Sequence, residues 1–302
     1  MIEMDAAERN VLLERIRALS RPLQPEPTGY PPRLQPLADI RAVIFDIYGT
    51  LLVSGSGDVG PASEEENEQA LREALAAAGV LDSGALPEAP LGPLLLEAIH
   101  AAQEERRREG IEYPEVDIVE VWRRLLTRLV GEGVAVEADL ARLRRLAIEY
   151  ECRSNPVWPM PGMRETLQVL KDRGIRLGIV SNAQFYTPLM LEALLDADPE
   201  ALGFEPSLCS WSWRLLEAKP STALFQPVLE QLAAADIEAA QTLYVGNDQL
   251  KDIWPASRLG WRTALFAGDR RSLRLREDDE RCAGVMPELV IESLDQLAGS
   301  LD

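Results

Sequence analysis

Four short polar stretches stand where apolar runs stop, and their side chains are of the kinds that handle a transferred group. The first is Asp46 to Thr50 in VIFDIYGTLL, residues 43–52. The second is Ser181-Asn182, closing IRLGIVSN at 175–182. The third is Lys219-Pro220, just before Ser221, and the fourth is VGNDQLKD, residues 245–252, with Asp248 and Asp252. A carboxylate such as Asp46 can be a nucleophile or a metal ligand. Asp248 and Asp252, four residues apart, offer the oxygen donors that Mg2+ prefers. Lys219 is a compact positive charge suited to a phosphate or to the nucleophile itself. The hydroxyls of Thr50 and Ser181 can donate to phosphoryl oxygens. Together they make a clamp for an anion whose charge moves during attack. Each residue also has a plainer reading, since strand-end aspartates often cap helices or form turns and one lysine is usually a solvated charge. The joint order of all four stretches is what favours the chemical reading.

That chemistry needs elements that bring distant residues to one rim. Strand-like apolar runs occur at 41–47, 175–182, 207–211, 242–247, 262–267 and 288–293, with helical stretches such as 162–174 and 221–235 between them. Nearly all-apolar strands alternating with helices predict an α/β, Rossmann-like doubly wound parallel sheet covered on both faces. Ligands of such sheets bind beyond the carboxyl ends of the strands. Residues 63–152 break the alternation with four helical stretches, at 63–78, 91–109, 116–131 and 137–152. An all-helical insertion at this point can close over the strand ends as a lid. The flap at Ser54–Gly60 and the return at Asn155–Pro161 are its expected hinges. At the N-terminus, Val11, Leu12, Ile16 and Leu19 share a helical face, and RPLQPEPTGYPPRLQP packs six prolines into sixteen residues, an extended connector.

Composition narrows the partners. The chain has 302 residues and a formal net charge of −19, which disfavours nucleic acid and anionic membrane as partners. No run of 18 apolar residues predicts a membrane span, and MIEMDAAERN does not read as a signal peptide. Cys152, Cys209 and Cys282 are too scattered for a disulfide frame or a zinc site. A cytoplasmic protein is expected. GSGDVG at 55–60 satisfies G-x-G-x-x-G but does not lead directly from the first strand into a helix, so it is not read as a dinucleotide loop. His100 reads as a surface or packing residue. Arg106 to Arg108, Arg123 and Arg124 read as a solvated helix face that could still meet an anionic substrate.

The order DIYGTLL, VSN, KP, VGNDQLKD resembles the four motifs of the haloacid dehalogenase superfamily over about residues 41–302, and the helical insertion resembles that superfamily's C1 cap. The resemblance implies an arm at 1–40, a catalytic core at 41–54 and 158–302, and a cap at 55–157. It implies that Asp46 is the nucleophile of a covalent aspartyl intermediate. Thr50, Ser181 and Asn182 would contact the transferring group, and Lys219 would stabilise charge. Asp46, the backbone carbonyl of Tyr48, Asp248 and Asp252 would hold Mg2+.

The chain departs from the phosphatase pattern at Tyr48, where those enzymes carry an aspartate that moves the leaving-group proton. Tyrosine, with a reference pKa of ~10, is a poor substitute at neutral pH. Tyrosine here matches the 2-haloacid dehalogenases, whose halide needs no proton. The presence of Asp248, and Phe225 six residues after the lysine, look more like the phosphatases. No lysine lies between residues 53 and 157, which closes a phosphonatase-type Schiff base. The expectation is an Mg2+-dependent hydrolase of a phosphate ester or anhydride in a small phosphorylated metabolite. The alternatives are dehalogenase-like C–X hydrolysis and a degenerate member that binds a phosphorylated ligand or protein without turnover.

Overall fold

Strand β1, Ala42–Phe45, is four consecutive apolar residues with no exposed member. Such a strand has to be covered on both faces. The computed structural model describes residues 4–56, 64–80, 86–131, 134 and 138–301, and in it β1 lies inside a six-stranded parallel sheet. In chain order, helix α1 (Ala6–Leu19) precedes β1, and a short strand β2 (Leu52–Ser54) follows it. The inserted helices are α2 (Glu64–Ala77), α3 (Gly92–Arg108), α4 (Ile118–Gly131) and α5 (Leu140–Ser154). The chain returns through β3 (Val157–Pro159), α6 (Met163–Asp172), β4 (Arg176–Ser181), α7 (Thr187–Leu195), β5 (Phe204–Trp211) and α8 (Ser212–Leu215). It ends with α9 (Gln226–Ala234), β6 (Thr242–Gly246), α10 (Trp254–Arg258), β7 (Arg262–Phe266), β8 (Leu289–Ile291) and α11 (Leu294–Ser300). The strand order is β5-β4-β1-β6-β7-β8, with every pairing parallel. All six expected sheet strands are present.

The sequence reading lacked the hairpin that joins insertion to sheet. β2 and β3 pair antiparallel, Leu52 against Pro159 and Ser54 against Val157, on either side of the insertion. Both strands are three residues long, and a proline ends the second, so neither carried a strand signal of its own. Of the expected flap, residues 57–60 lie outside the described residues. Gly55 belongs to the hairpin, its N–H donating to Pro156 O at 2.8 Å.

The N-terminal helix is docked. It packs against α5 of the insertion and α7 of the core. Contact with two helices turns Leu12, Leu13 and Ile16 inward and leaves Val11 in solvent, so the buried face is rotated by one residue from the expected one. Arg15 pairs with Glu149 and Arg144 with Glu8 on the α5 side, while Arg9 pairs with Glu192 and Arg17 with Asp196 on the α7 side. The proline-rich connector is extended, as expected, and runs along the sheet. Arg33 and Val290 exchange backbone hydrogen bonds of 2.9 Å, so the connector covers the β8 edge.

Truncating Leu13 to Ala should destabilise the protein by about 2–5 kcal/mol, because the cavity opens where α1 meets two helices. Val11→Ala should stay within about 0.5 kcal/mol. Urea midpoints at unchanged m-value check both, and equal effects would contradict the docked orientation.

Candidate active site

The strand register sets the site. Phe45, the last residue of β1, lies beside Ile179 of β4 and Val245 of β6. Asp46 is one residue further along, and Ser181 and Asn247 are two residues beyond their own partners, so all three reach the carboxyl rim together. Asp46 Oδ1 accepts from Ser181 Oγ at 2.8 Å and from Lys219 Nζ at 2.7 Å. Lys219 also donates to Asp252 Oδ1 at 2.5 Å and to the Tyr244 hydroxyl at 3.2 Å. All of these side chains are buried. Burial alone would lower the lysine, but Asp252 and Asp46 outweigh it and hold its pKa above the ordinary value. Burial lifts Asp252 to about 6 against the pull of Lys219, and the charges of Asp46 and Asp248 add to the lift.

A tight turn follows the nucleophile. The N–H groups of Thr50, Leu51 and Leu52 all point to Ile47 O, and Gly49 N–H donates to Leu52 O at 2.7 Å. Gly49 has φ +82°, and a Cβ there would stand 2.5 Å from Ser272 Cβ, so only glycine fits. The turn aims Thr50 Oγ1 at Asn247 Oδ1, 3.1 Å away, while Asn247 Nδ2 donates to Ser272 O at 2.6 Å. Asn182 works on the lysine's backbone. Its Oδ1 accepts from Lys219 N at 2.7 Å and its Nδ2 donates to Lys219 O at 3.3 Å.

Tyr48 turns away from proton chemistry. Its hydroxyl shares a 2.8 Å hydrogen bond with Thr187 Oγ1. Burial, reinforced by Glu151, pushes the phenol well above its ordinary pKa. It is a neutral wall of the site at any physiological pH.

The carboxylates expected to hold a metal are engaged by other partners. Asp248 Oδ1 caps the π-helical turn Gln249–Ile253, accepting from Leu250 N at 2.8 Å and Lys251 N at 3.0 Å. Arg276 takes both of its oxygens, with Nη2 to Oδ2 at 2.6 Å and Nε at 3.2 Å from each. Asp252 is occupied as well, Oδ1 by Lys219 and Oδ2 by the Asp248 N–H at 2.9 Å. Among the described residues no group of three or more His, Cys, Asp or Glu side chains is placed to hold a metal ion. In this arrangement Asp248 is paired with Arg276 and the rim position facing Thr50 belongs to Asn247, so Asp248 would have to exchange Arg276 for an ion before it could serve as a ligand with Asp46.

Sequence reasoning missed Tyr244 and Arg276. Tyr244 sits inside an apolar strand and reads as core, and Arg276 belongs to a charged loop with no motif. The arginines of the insertion pair with neighbouring acids, Arg106 with Glu109, Arg107 and Arg108 with Glu104, Arg123 with Glu120, and Arg124 with Glu105 and Glu120. His100 is exposed. Among the described residues no helix is long and apolar enough to cross a membrane.

A parallel sheet of this order with a strand-end aspartate, a serine and a lysine on one rim and a helical insertion after β2 defines a hydrolase of the haloacid dehalogenase type. The chain belongs to the haloacid dehalogenase-like hydrolases, whose family model matches residues 40–260. No curated protein sequence matches it. Among solved structures, it resembles a 2-haloacid dehalogenase from Pseudomonas syringae pv. Tomato DC3000 at 23% identity, with 86% of this chain and 97% of that chain covered and a TM-score of 0.55. A phosphatase from Thermococcus onnurineus is 19% identical, with coverage of 86% and 97% and a TM-score of 0.48. An L-2-haloacid dehalogenase from Xanthobacter autotrophicus with chloropropionic acid covalently bound is 20% identical, with coverage of 86% and 97% and a TM-score of 0.47.

Because Asp252 is raised, the folded state holds a proton that the unfolded chain has already released. The associated stability is complete below the ordinary aspartate pKa and is lost as pH rises through about 6. Between about pH 4 and 6, wild type should lose up to ~1.4 kcal/mol per pH unit relative to Asp252→Asn. Parallel unfolding curves for the two proteins across that window would not fit this placement of Asp252.

Proposed function

We propose that the protein hydrolyses a small substrate through a covalent ester on Asp46, and that the leaving group departs as an anion without receiving a proton. One observation carries this reading: Asp46 is held by Ser181 and Lys219, while position 48, where a proton-moving carboxyl would stand, holds a phenol tied to Thr187. Asp46 Oδ1 is occupied by both donors. Its Oδ2, which no described residue donates to, is the oxygen that attacks. In the first step a C–O bond forms to the substrate carbon and the bond to the leaving group breaks. Water then adds to Cγ of the ester, the alcohol product leaves, the carboxylate returns and a proton is released to solvent. Lys219 holds the carboxylate in place. Ser181 fixes its rotation. The turn at Gly49 sets Thr50 and Asn247 beside it. The substrate class favoured is a small molecule whose carbon bears a halide or an equally stable anion.

The second reading is Mg2+-dependent hydrolysis of a phosphate ester or anhydride in a small phosphorylated metabolite. Two observations favour it. Asp46, Asp248 and Asp252 outnumber Lys219 and Arg276, and the charges of Asp46 and Asp248 add to the lift that burial gives Asp252. Phe225, buried against Tyr244, stands where the dehalogenases tend to carry a tyrosine. This reading requires Arg276 to leave Asp248.

2-Chloropropionate assayed in excess chelator, beside 4-nitrophenyl phosphate and acetyl phosphate with Mg2+, separates the two. Chelator-resistant halide release, with an Asp46 ester seen by mass spectrometry and abolished in Asp46→Asn, is the expected result. Turnover of phosphates alone, strictly dependent on Mg2+, would replace the first reading with the second. Arg276→Ala should gain Mn2+ binding, read by electron spin resonance, because it uncovers Asp248. Equal Mn2+ binding by wild type would show that Arg276 does not bar the site.

A further inference from the structure

The insertion touches the core at a second place, far in sequence from the β2–β3 hairpin. Between α3 and α4, residues 113–118 lie across the loop that leads to the lysine. Glu115 N–H donates to Leu216 O at 3.1 Å, and Ala218 N–H donates to Tyr113 O at 2.8 Å, with Pro114 and Glu217 paired antiparallel between them. Ala218 is the residue before Lys219. A segment of the insertion is thus bonded directly to the stretch that delivers the ammonium to Asp46.

One side chain seats this segment. Glu115 Oε2 accepts from Ser212 Oγ at 2.7 Å, and its Oε1 accepts from Gln184 Nε2 at 3.3 Å and from Val116 N at 2.9 Å. Gln184 also donates to Val116 O at 2.9 Å and accepts from Ile118 N at 3.1 Å. Ser212 follows β5, and Gln184 follows Asn182 by two residues. Ser212 Oγ in turn accepts from Ala183 N–H at 2.9 Å, and the neighbouring Asn182 holds the backbone of Lys219. The same carboxylate therefore reaches Lys219 by two routes, through the 216–218 backbone and through Ser212, Ala183 and Asn182. Burial raises the Glu115 pKa, against donation from Ser212 and Val116 and the charge of Lys251. A carboxyl placed there at such a cost has to be held by its partners.

We propose that Glu115 is a positioning residue: by seating residues 113–118 on the core it holds the Lys219 loop in register with Asp46. The proposal rests on Asp46 and Lys219 being the reacting pair, but not on the substrate. It couples closure of the insertion to assembly of the charge pair, so that the nucleophile is completed only when the rim is covered.

Backbone hydrogen exchange tests it without a substrate. In Glu115→Ala the amides of both Ala218 and Lys219 should exchange at least tenfold faster than in wild type, while those of β1 and β6 stay unchanged. Glu115→Gln, which keeps an acceptor for Ser212, should restore most of the protection. Faster exchange at Ala218 alone, or no rescue by glutamine, would overturn the proposal and leave Glu115 a local contact. Faster exchange throughout the sheet would overturn it as well, since the residue would then be structural. On whichever substrate is turned over, kcat should fall about tenfold in Glu115→Ala with KM within about twofold. If wild type turns nothing over, the reading of function fails, and the exchange result still decides the role of Glu115.

Discussion

The ammonium of Lys219, buried between Asp46 and Asp252, is the contact on which the rest of the site depends. A lone charge in that position would cost several kcal/mol, and removing one partner would strand the others. Three elements have to deliver their residues to within about 3 Å of one another: β1 brings Asp46, the turn after β6 brings Asp252, and a loop reaches in with the lysine. Gly246 makes room, since a Cβ there would stand 2.4 Å from Asp252 Cγ. Tyr244 closes the floor, its ring centroid 5.8 Å from Nζ and its hydroxyl 2.7 Å from Val180 O. The parallel order β4-β1-β6 around the central strand is what allows a serine, a nucleophile and the lysine's second partner to share one rim.

The same strand exit explains how the acidic motif is arranged. Successive side chains leaving a strand point to opposite sides. Gly246, Asn247 and Asp248 follow that alternation, so Asn247 meets Thr50 and Asp248 faces the 274–276 loop, where its neighbour Gln249 bonds to Arg274 O at 2.8 Å. With one residue between the glycine and the acid, the amide is on the inside and the carboxylate on the outside. Arg276 then neutralises a carboxylate that would otherwise be buried without a counter-charge. The lysine is shared by two acids, and that sharing is what restrains the carboxylate of Asp46.

How far all this could be read in advance follows from which interactions are local. The six sheet strands are apolar runs bounded by turn residues, and each is where the pattern put it. The four insertion helices are likewise amphipathic segments whose periodicity survives packing. The rim residues Asp46, Thr50, Ser181 and Asn182 are legible because they sit at strand exits, where topology leaves few choices, whereas Lys219 lies in a loop beyond α8 and is marked by its Lys-Pro pair. What failed depends on pairing at long range. The spacing groups Val11 with Leu12 and Ile16, but α1 packs against two helices and Val11 stays in solvent. Three-residue strands such as β2 and β3 exist only because each supplies the other's hydrogen bonds. Arg276 and Glu115 carry no local signature, and their roles arise from partners 28 and 97 residues away.

The insertion is attached at three places, and the attachments differ in kind. On the α1 side, Leu12, Leu13 and Ile16 are buried, each worth about 1.5–3 kcal/mol, and the four ion pairs of α1 add up to about 1 kcal/mol apiece. Near the hairpin, Asn155 Oδ1 accepts from Ser54 Oγ at 2.7 Å and from Ser56 Oγ at 2.9 Å. Its Nδ2 donates to Glu151, which also accepts from Tyr186 of the core at 2.8 Å. This is a dense polar joint with burial raising the Glu151 carboxyl. At the mouth the holding is polar: two backbone hydrogen bonds, the contacts of Glu115, those of Gln184 with Val116 and Ile118, and Arg281 Nη1 on the Tyr113 hydroxyl at 2.9 Å, each worth about 1 kcal/mol net. With α1 and the hairpin as the pivot, residues 113–118 are the edge at which an opening would act on the lysine loop. An opening at that edge releases the 216–218 loop in the same movement, so the lysine loses its alignment when the rim is open and recovers it when the rim is closed. Closure and charge pairing are then one event, and a nucleophile exposed to water is a weaker one than the nucleophile that meets the substrate.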